Sequence, residues 1–316
     1  HDALPIWLFR DSQNTKICYN NINKRKTGYI VMSVTIAIDM GTSYTTVYKQ
    51  GEGLVLFEPT VVAVKNNGKE CFFGSEAKKL IGKTSENISI IFPIFEGVIV
   101  NFKAASELLK YFRSKIIEKT FFPQRVKFLM TTPCGLNAQD KLNYEKAAVN
   151  AGFKEVYLLD CPIACAVGIT EHMDNYTPVF LADIGGGVTD IAVVNMSGVI
   201  TGSSLAIGGN NVDTGIIEYL INEHGIKTGL LSAEKIKTEI GSLYPNDNTS
   251  MMIGGREAGG NPTSMMVSSK DINGIIEYYY QKILDVAEET LKSLQPEISA
   301  DVMERGLYLC GGGSSV

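Results

Sequence analysis

VTIAIDMGTSYTTVY, residues 34–48, and VFLADIGGGVTDIAVV, residues 179–194, decide the reading of this chain. Each opens as a short apolar run, places an Asp and then a glycine-containing turn, and resumes with alternating β-branched residues. Each therefore reads as a β-hairpin. Gly41 and the run Gly185, Gly186, Gly187 let the backbone approach an anion and point successive N–H groups at phosphate oxygens. Asp39 and Asp183 then stand at the strand ends facing each other. Two carboxylates repel phosphate, so the pairing makes sense with a hydrated Mg2+ between them, bound mostly through its waters. One such hairpin alone is as well explained as an ordinary Gly-rich turn with a turn Asp. Two related copies favour a pair of phosphate clamps.

A third glycine cluster occupies 306–315, GLYLCGGGSS, where an apolar strand runs into Gly311, Gly312 and Gly313. Taken alone it is a strand ending in a flexible turn. Beside the two hairpins it suits a loop passing under a nucleotide base or ribose, where side chains would clash. The chain contains no G-x-x-x-x-G-K-[ST], and no G-x-G-x-x-G follows a strand. The phosphate-loop and dinucleotide-fold modes are thus excluded, and a nucleotide is expected between two halves of the molecule.

These three segments, in this order, resemble the first phosphate, second phosphate and adenosine motifs of the actin-like ATPase superfamily. The similarity is closest to the MreB-type bacterial actin homologues, and it runs from Met32 through GEGLVLFEPTVVAV, IGKTSENI, EGVIVNF, KIKTEIGSLYP and PEISADVMERGLYLCGGG. The resemblance implies an α/β, two-lobed actin-like ATPase fold: two ribonuclease-H-like domains with smaller outer subdomains and ATP with Mg2+ in the cleft. The first lobe is expected over 32–176, with an outer part at about 63–104, and the second over 177–316, with an outer part at about 211–268. Asp39, Gly41, Thr42, Ser43 and Tyr44 fall on the first phosphate motif, Asp183, Gly185, Gly186 and Gly187 on the second, and Gly311, Gly312, Gly313 and Ser314 on the adenosine motif.

Function by resemblance is that of a filament former at the inner face of the cell membrane, organising cell-wall synthesis and cell shape from the cytoplasm. Its partners would be further copies of itself in head-to-tail contact and the wall-synthesis and shape proteins. Chaperone ATPases share the GG-x-x-x-D element, here GGNNVD (208–213), but need a longer ATPase domain and a peptide-binding domain. A small-molecule kinase of the same fold, a chaperone-like regulatory ATPase and a binding-only paralogue remain the alternatives, because fold alone does not assign function.

Composition sets the outer bounds. At 316 residues the chain exceeds what one core usually organises, and two lobes are expected. A net charge of −5 makes no electrostatic case for nucleic acid as a partner. Six Cys are scattered, and only His1, His172 and His224 could join them as ligands. Cys161 and Cys165 lie four apart on an expected helix with no third or fourth ligand nearby, which favours buried thiols over zinc, and a reducing compartment is the simple inference. Residues 1–31 lack periodicity and an initial Met, carry an Asn/Lys/Arg patch from Asn20 to Lys26, and do not follow signal-peptide order. They read as a prefix, with Met32 as the expected start, and the resemblance implies a helix and strand beyond Val316.

Between the motifs, VLFEPTVVAV reads as a strand pair with Pro59 at an edge, SEAKKLIG as a short helix, and KAASELLKYFRSKIIEKT as an amphipathic helix with Leu108, Leu109, Phe112, Ile116 and Ile117 on its core face. VKFLMTTP, QDKLNYEKAAVNAG, EVYLLD and PIACAVGIT alternate strand and helix, which implies a sheet covered by helices. After the helix NVDTGIIEYLINEHG, Ser232 is a candidate N-cap with Glu234 in the first turn. The polar, Gly-rich segment from Asn246 to Pro262 reads as a hairpin in the second outer part. Glu234 and Lys237 share a helix face as a solvated ion pair; by resemblance, Glu234, Lys235, Ile236 and Lys237 belong instead to a helix that contacts ribose and base.

The chemistry turns on LLDCPIACAVG, 158–168. Related proteins carry a Glu immediately before this Pro to orient or deprotonate the attacking water, and here that position is Cys161, with Asp160 adjacent as a candidate substitute on a shorter side chain. In IGGGVTD, Val188 stands where family members usually have Thr, and Val has no hydroxyl for the γ-phosphate or its water. Nucleotide binding with slow hydrolysis is expected. Phe121 and Phe122 sit beside Pro123 among Lys119, Arg125 and Lys127. The pair reads as a half-buried turn, or by resemblance as a peripheral contact with anionic lipid.

Overall fold

The structure, a computed structural model, describes residues 33–65, 68, 70–83, 87–117, 125–169, 176–244 and 246–315. The Phe121–Phe122 pair lies outside them.

The described residues begin with the antiparallel strands β1 (Ser33–Met40), β2 (Tyr44–Lys49) and β3 (Gly53–Pro59). Alternation decides their faces: Ile36, Ile38 and Met40 are buried on one side of β1, leaving Asp39 on the other. The chain then builds β4 (Val62–Lys65), β5 (Glu70–Phe73), the one-turn helix α1 (Ser75–Lys78) and β6 (Ile88–Ile91). These strands form a separate three-stranded sheet in the order β5-β4-β6. VLFEPTVVAV is therefore not a strand pair. Its halves belong to different sheets, because Pro59 ends β3 at the edge of the first sheet and Val62 starts the second.

A short hairpin of β7 (Ile94–Phe95) and β8 (Val98–Ile99) leads to helix α2 (Phe102–Ile116), whose N-cap Asn101 side chain accepts from Ala104 N. Leu108, Leu109, Phe112 and Ile116 all face inward. Strand β9 (Arg125–Thr132), helix α3 (Ala138–Asn150), strand β10 (Glu155–Asp160) and helix α4 (Cys161–Ile169) follow. Strand β9 pairs parallel with β1, and β10 with β9, giving the order β10-β9-β1-β2-β3. Phe128 on β9 stacks on Phe153 at 3.7 Å between ring centroids and fixes the packing of the turn after α3 on the sheet.

The second half repeats this plan. Strands β11 (Val179–Ile184), β12 (Thr189–Asn195) and β13 (Gly198–Leu205) form an antiparallel meander. Next come α5 (Gly209–His224), β14 (Ile226–Lys227), α6 (Leu230–Ile240), β15 (Ser250–Glu257), β16 (Pro262–Ser268), α7 (Ser269–Lys292), α8 (Pro296–Arg305) and β17 (Leu307–Cys310). Strand β17 returns parallel to β11, as β9 does to β1, in the order β13-β12-β11-β17. Strands β11 and β12 are buried almost throughout because α4 covers one face, through Cys165 and Ala166, while α7 and α8 cover the other, through Ile283, Ala287 and Val302.

Helix α6 begins earlier than the sequence suggests. The Gly229 carbonyl accepts from Ser232 N and Ala233 N, so Gly229 is the N-cap, Ser232 lies inside the first turn, and Glu234 sits past it. The hairpin expected near Asn246–Pro262 is present as β15 and β16, with strands extending past that segment to Ser268.

Leu109→Ala should test the first core. Leu109 is fully buried against both helix and sheet neighbours, so truncation is expected to lower unfolding stability by about 2–5 kcal/mol with an unchanged denaturant slope, measured by urea unfolding.

Candidate functional site: a cleft between two glycine turns

Both hairpins close in the same way. Gly41 N donates to Tyr44 O at 3.0 Å, and Gly185 N donates to Val188 O at 2.9 Å. Asp39 and Asp183 each stand two residues before the turn glycine, opposite Thr46 and Asp190 respectively. The turns come from different halves of the chain, yet they meet. Ser43 Oγ donates to Asn210 Oδ1 at 2.9 Å, and Asn210 N donates in turn to Gly186 O at 2.7 Å. A Cβ on Gly186 would stand 2.7 Å from Ser43 Cβ, closer than carbon atoms pack, so only glycine permits this approach.

Behind the turns, Asp39, Asp183, Tyr44, Glu234, Lys237, Gly311 and their neighbours line a cavity of about 470 Å3. Gly311 takes φ of 77°, and a Cβ there would lie 2.5 Å from Asp183 Oδ1. The third glycine cluster thus closes directly on the second Asp. Gly312 and Gly313 line the same cavity, whereas the hydroxyl of Ser314 is turned back to Gly311 O at 2.7 Å.

Electrostatics concentrate here. Asp39 is reached by solvent through the cleft but surrounded by protein; desolvation, and the charge of Asp183, push its carboxyl up to about 6 against the Thr131 hydroxyl that donates to it at 2.7 Å. Desolvation also raises Asp183. Asp190 is buried and pushed up to about 7, chiefly by desolvation, although Ser204 and Cys134 N donate to it. The Cys134 amide crosses from the first half of the chain, so Asp190 also joins the two halves.

Across the mouth, Glu234 on α6 meets Lys78 on α1 at 2.7 Å, and the Tyr44 hydroxyl lies 2.7 Å from Lys78 Nζ and 3.3 Å from Glu234 Oε1. Burial pulls the Lys78 pKa down, and the bonds to Glu234 and Tyr44 outweigh it, for a net rise. Lys237 turns the other way, to Asp213 and to Gly209 O, both at 2.9 Å, and so braces the start of α5. Glu234 and Lys237 are therefore not paired with each other. Of the remaining candidates on this helix, Ile236 is buried in the core and Lys235 pairs outward with Glu239.

At the position where related proteins carry Glu, Cys161 lines the cleft and its thiol donates to Asp183 Oδ2 at 3.0 Å. A hydrogen bond with Cys165 favours ionisation, but burial and the Asp183, Asp39 and Asp190 charges outweigh it and hold the thiol well above its ordinary pKa. Asp160 is engaged instead by Lys141 at 2.7 Å and does not line the cavity. Val188 directs a methyl toward Gly97, and its side chain has no polar atom to offer the cleft.

Sequence reasoning did not single out Asp190, Thr131, Asn210 or Lys78. Asp190 and Asn210 had a signal, the carboxylate closing GGGVTD and the first Asn of GGNNVD. Thr131 and Lys78 had none, since they are brought in by strand register and by a distant helix.

Two hairpin-bearing sheets facing each other across such a cleft define the actin-like fold, and the comparisons agree. The family described as MreB/Mbl protein matches residues 33–316, and the chain belongs to that family. It is 33% identical over 291 residues to the cell shape-determining protein MreB of Escherichia coli (strain K12), covering 90% of this chain and 84% of that protein. The crystal structure of MreB5 of Spiroplasma citri bound to AMPPNP superposes with a TM-score of 0.82 at 29% identity, covering 90% of this chain and 86% of that one. The MamK double helical filament superposes with a TM-score of 0.75 over 90% and 87% of the two chains, at 20% identity, which carries the fold alone.

The raised Asp190 sets a pH test. Its folded pKa of about 7 lies above its unfolded value, so the chain gains stability from it below about pH 4 and loses that contribution as pH rises through 7. Asp190→Asn, which keeps the acceptor for Cys134 N, should flatten this fall. A urea midpoint whose slope between pH 4 and 8 is the same in both proteins would contradict it.

Proposed function

We propose that this protein is an ATP-binding, filament-forming actin homologue of the MreB type with weak hydrolysis. The observation that carries the reading is the meeting of two glycine turns, each backed by an Asp, over a cavity of about 470 Å3. That volume is in the range that holds a small ligand. The relative from Spiroplasma citri is solved with AMPPNP, which supports nucleotide in this cleft.

In this reading the amides of the turns at 41–44 and 185–188 bind phosphate oxygens. Glu234 and Tyr44 face the ribose side, and Gly311, Gly312 and Gly313 pass beneath the adenosine. The donor set fits Mg2+, because Asp39, Asp183 and Thr131 offer hard oxygens to the same cavity. Bound there, Mg2+ would neutralise the phosphates.

Cys161, protonated, cannot take a proton from water, and Val188 cannot orient one, so binding and turnover separate in this chain. Nucleotide joining both halves biases them toward closure, and closure sets the surface offered to the next subunit. The lobes we assign are 32–176 and 177–316. Family membership further supports a place in the cytoplasm at the inner membrane face, with Phe121 and Phe122 touching lipid and with partners in wall synthesis and cell shape. Among the described residues, no helix is long and apolar enough to cross a membrane.

ATP-dependent sedimentation with parallel phosphate release tests the proposal. Wild-type protein should pellet with ATP and Mg2+ while releasing phosphate slowly. Gly186→Ala should weaken nucleotide binding at least tenfold by forcing the turns apart, and Ser43→Gly in the same chain should restore part of it. Failure of the wild-type chain to bind ATP would overturn the reading.

A further inference from the structure

The helix α4 thiols have company that the sequence does not show. Cys161 and Cys165, one turn apart, both point at Asp183 on β11, with Sγ to Oδ2 distances of 3.0 and 3.5 Å. The three ligand atoms lie within 4.8 Å of one another. Cys310 stands opposite Asp183 in the parallel register of β11 and β17 and packs in the same buried cluster as Cys165. None of these cysteines is in a disulfide, and Cys165 and Cys310 are buried. The expectation that no third ligand stands near Cys161 and Cys165 is therefore corrected: it arrives from a strand across the interface of α4 and the second sheet.

We infer that Cys161, Cys165 and Asp183 form a binding site for a thiophilic divalent cation such as Zn2+, bordered by Cys310, at the inner end of the cleft.

Geometry is the first argument. A tetrahedral zinc with bonds of roughly 2.3 Å to sulfur and 2.0 Å to oxygen separates its ligands by about 3.5 Å (S to O) and about 3.8 Å (S to S). The observed spacings need only small rotamer adjustments to reach these values. Chemistry is the second. Two thiols and a carboxylate form a soft donor set that suits Zn2+ and not Mg2+. The third argument is position: Asp190 stands opposite Asp183 in the register of β11 and β12, and Asp39 lines the same cavity as both, so an incoming divalent ion meets a cluster of carboxyl groups. Binding releases two protons, one from each thiol, and leaves the fourth tetrahedral position to Cys310 or to water from the cleft. Asp183 is also the carboxylate assigned above to Mg2+. A thiophilic ion on Asp183 would thus hold the second phosphate hairpin against α4 and compete with nucleotide-bound Mg2+.

Cobalt(II) absorption tests this in the chain of 316 residues, kept reduced with a phosphine. Cys18→Ser and Cys71→Ser are introduced first, so that neither thiol contributes to the spectrum. One Co2+ per chain should bind, with a thiolate-to-cobalt charge-transfer band in the near ultraviolet and tetrahedral visible bands, and Zn2+ should displace it. Cys161→Ser and Cys165→Ser should each diminish the band, and the double variant should lose it. Zn2+ should also raise the melting temperature of the chain with its core cysteines intact, reversibly with chelator, which keeps the test valid where a variant folds poorly. Absence of both the band and the melting shift, or a band unchanged in the double variant, would overturn the site. The nucleotide reading fails separately: a chain that binds cobalt but not ATP leaves the metal site standing.

Discussion

The contact between the two glycine turns constrains everything around it. Ser43 reaches Asn210, Asn210 reaches Gly186, and Gly186 has no side chain to hold the turns apart. Each turn is held by a strand pair whose apolar face is buried in its own core, so the contact joins two separately packed sheets. Asp39 and Asp183 come along because the strand period fixes a residue two before the turn glycine on the cleft side. Their shared desolvation is the consequence, and it raises both carboxyls.

That contact has a counterpart at the mouth. Lys78 ends helix α1 beside the small sheet β5-β4-β6, and Glu234 lies on α6 between β14 and β15, so their ion pair ties together the two peripheral parts. With both side chains about a quarter exposed, the pair is partly screened and readily exchanged. The Asp190 bond to the Cys134 amide works more deeply, where exchange with water costs more.

Much of the fold was legible because its decisive elements are local. The repeated Asp-x-Gly turns, the apolar stripe of α2 and the β-α alternation from 125 to 169 each announce themselves within a few residues. Misreadings arose where a local signal competed with a neighbour. Ser232 has the right chemistry for an N-cap, but Gly229 already starts the helix, and VLFEPTVVAV looks like one unit although its halves pair with different strands. In the site, residues within the motifs were accessible to reading. Lys78, Thr131 and the Cys310 thiol were not, because parallel register and packing between distant segments bring them in. Asp160 illustrates the limit of adjacency. As the last residue of β10 it turns to Lys141, while its neighbour Cys161 begins α4 and faces the cleft.

The central claim is that a single ligand bridges both turns and the third glycine loop. Amide hydrogen exchange with and without ATP and Mg2+ addresses it directly. The account predicts joint slowing at residues 41–44, 185–188 and 311–313, rising together with ATP concentration. Slowing confined to one turn, or none at a concentration that saturates a related protein, would contradict it.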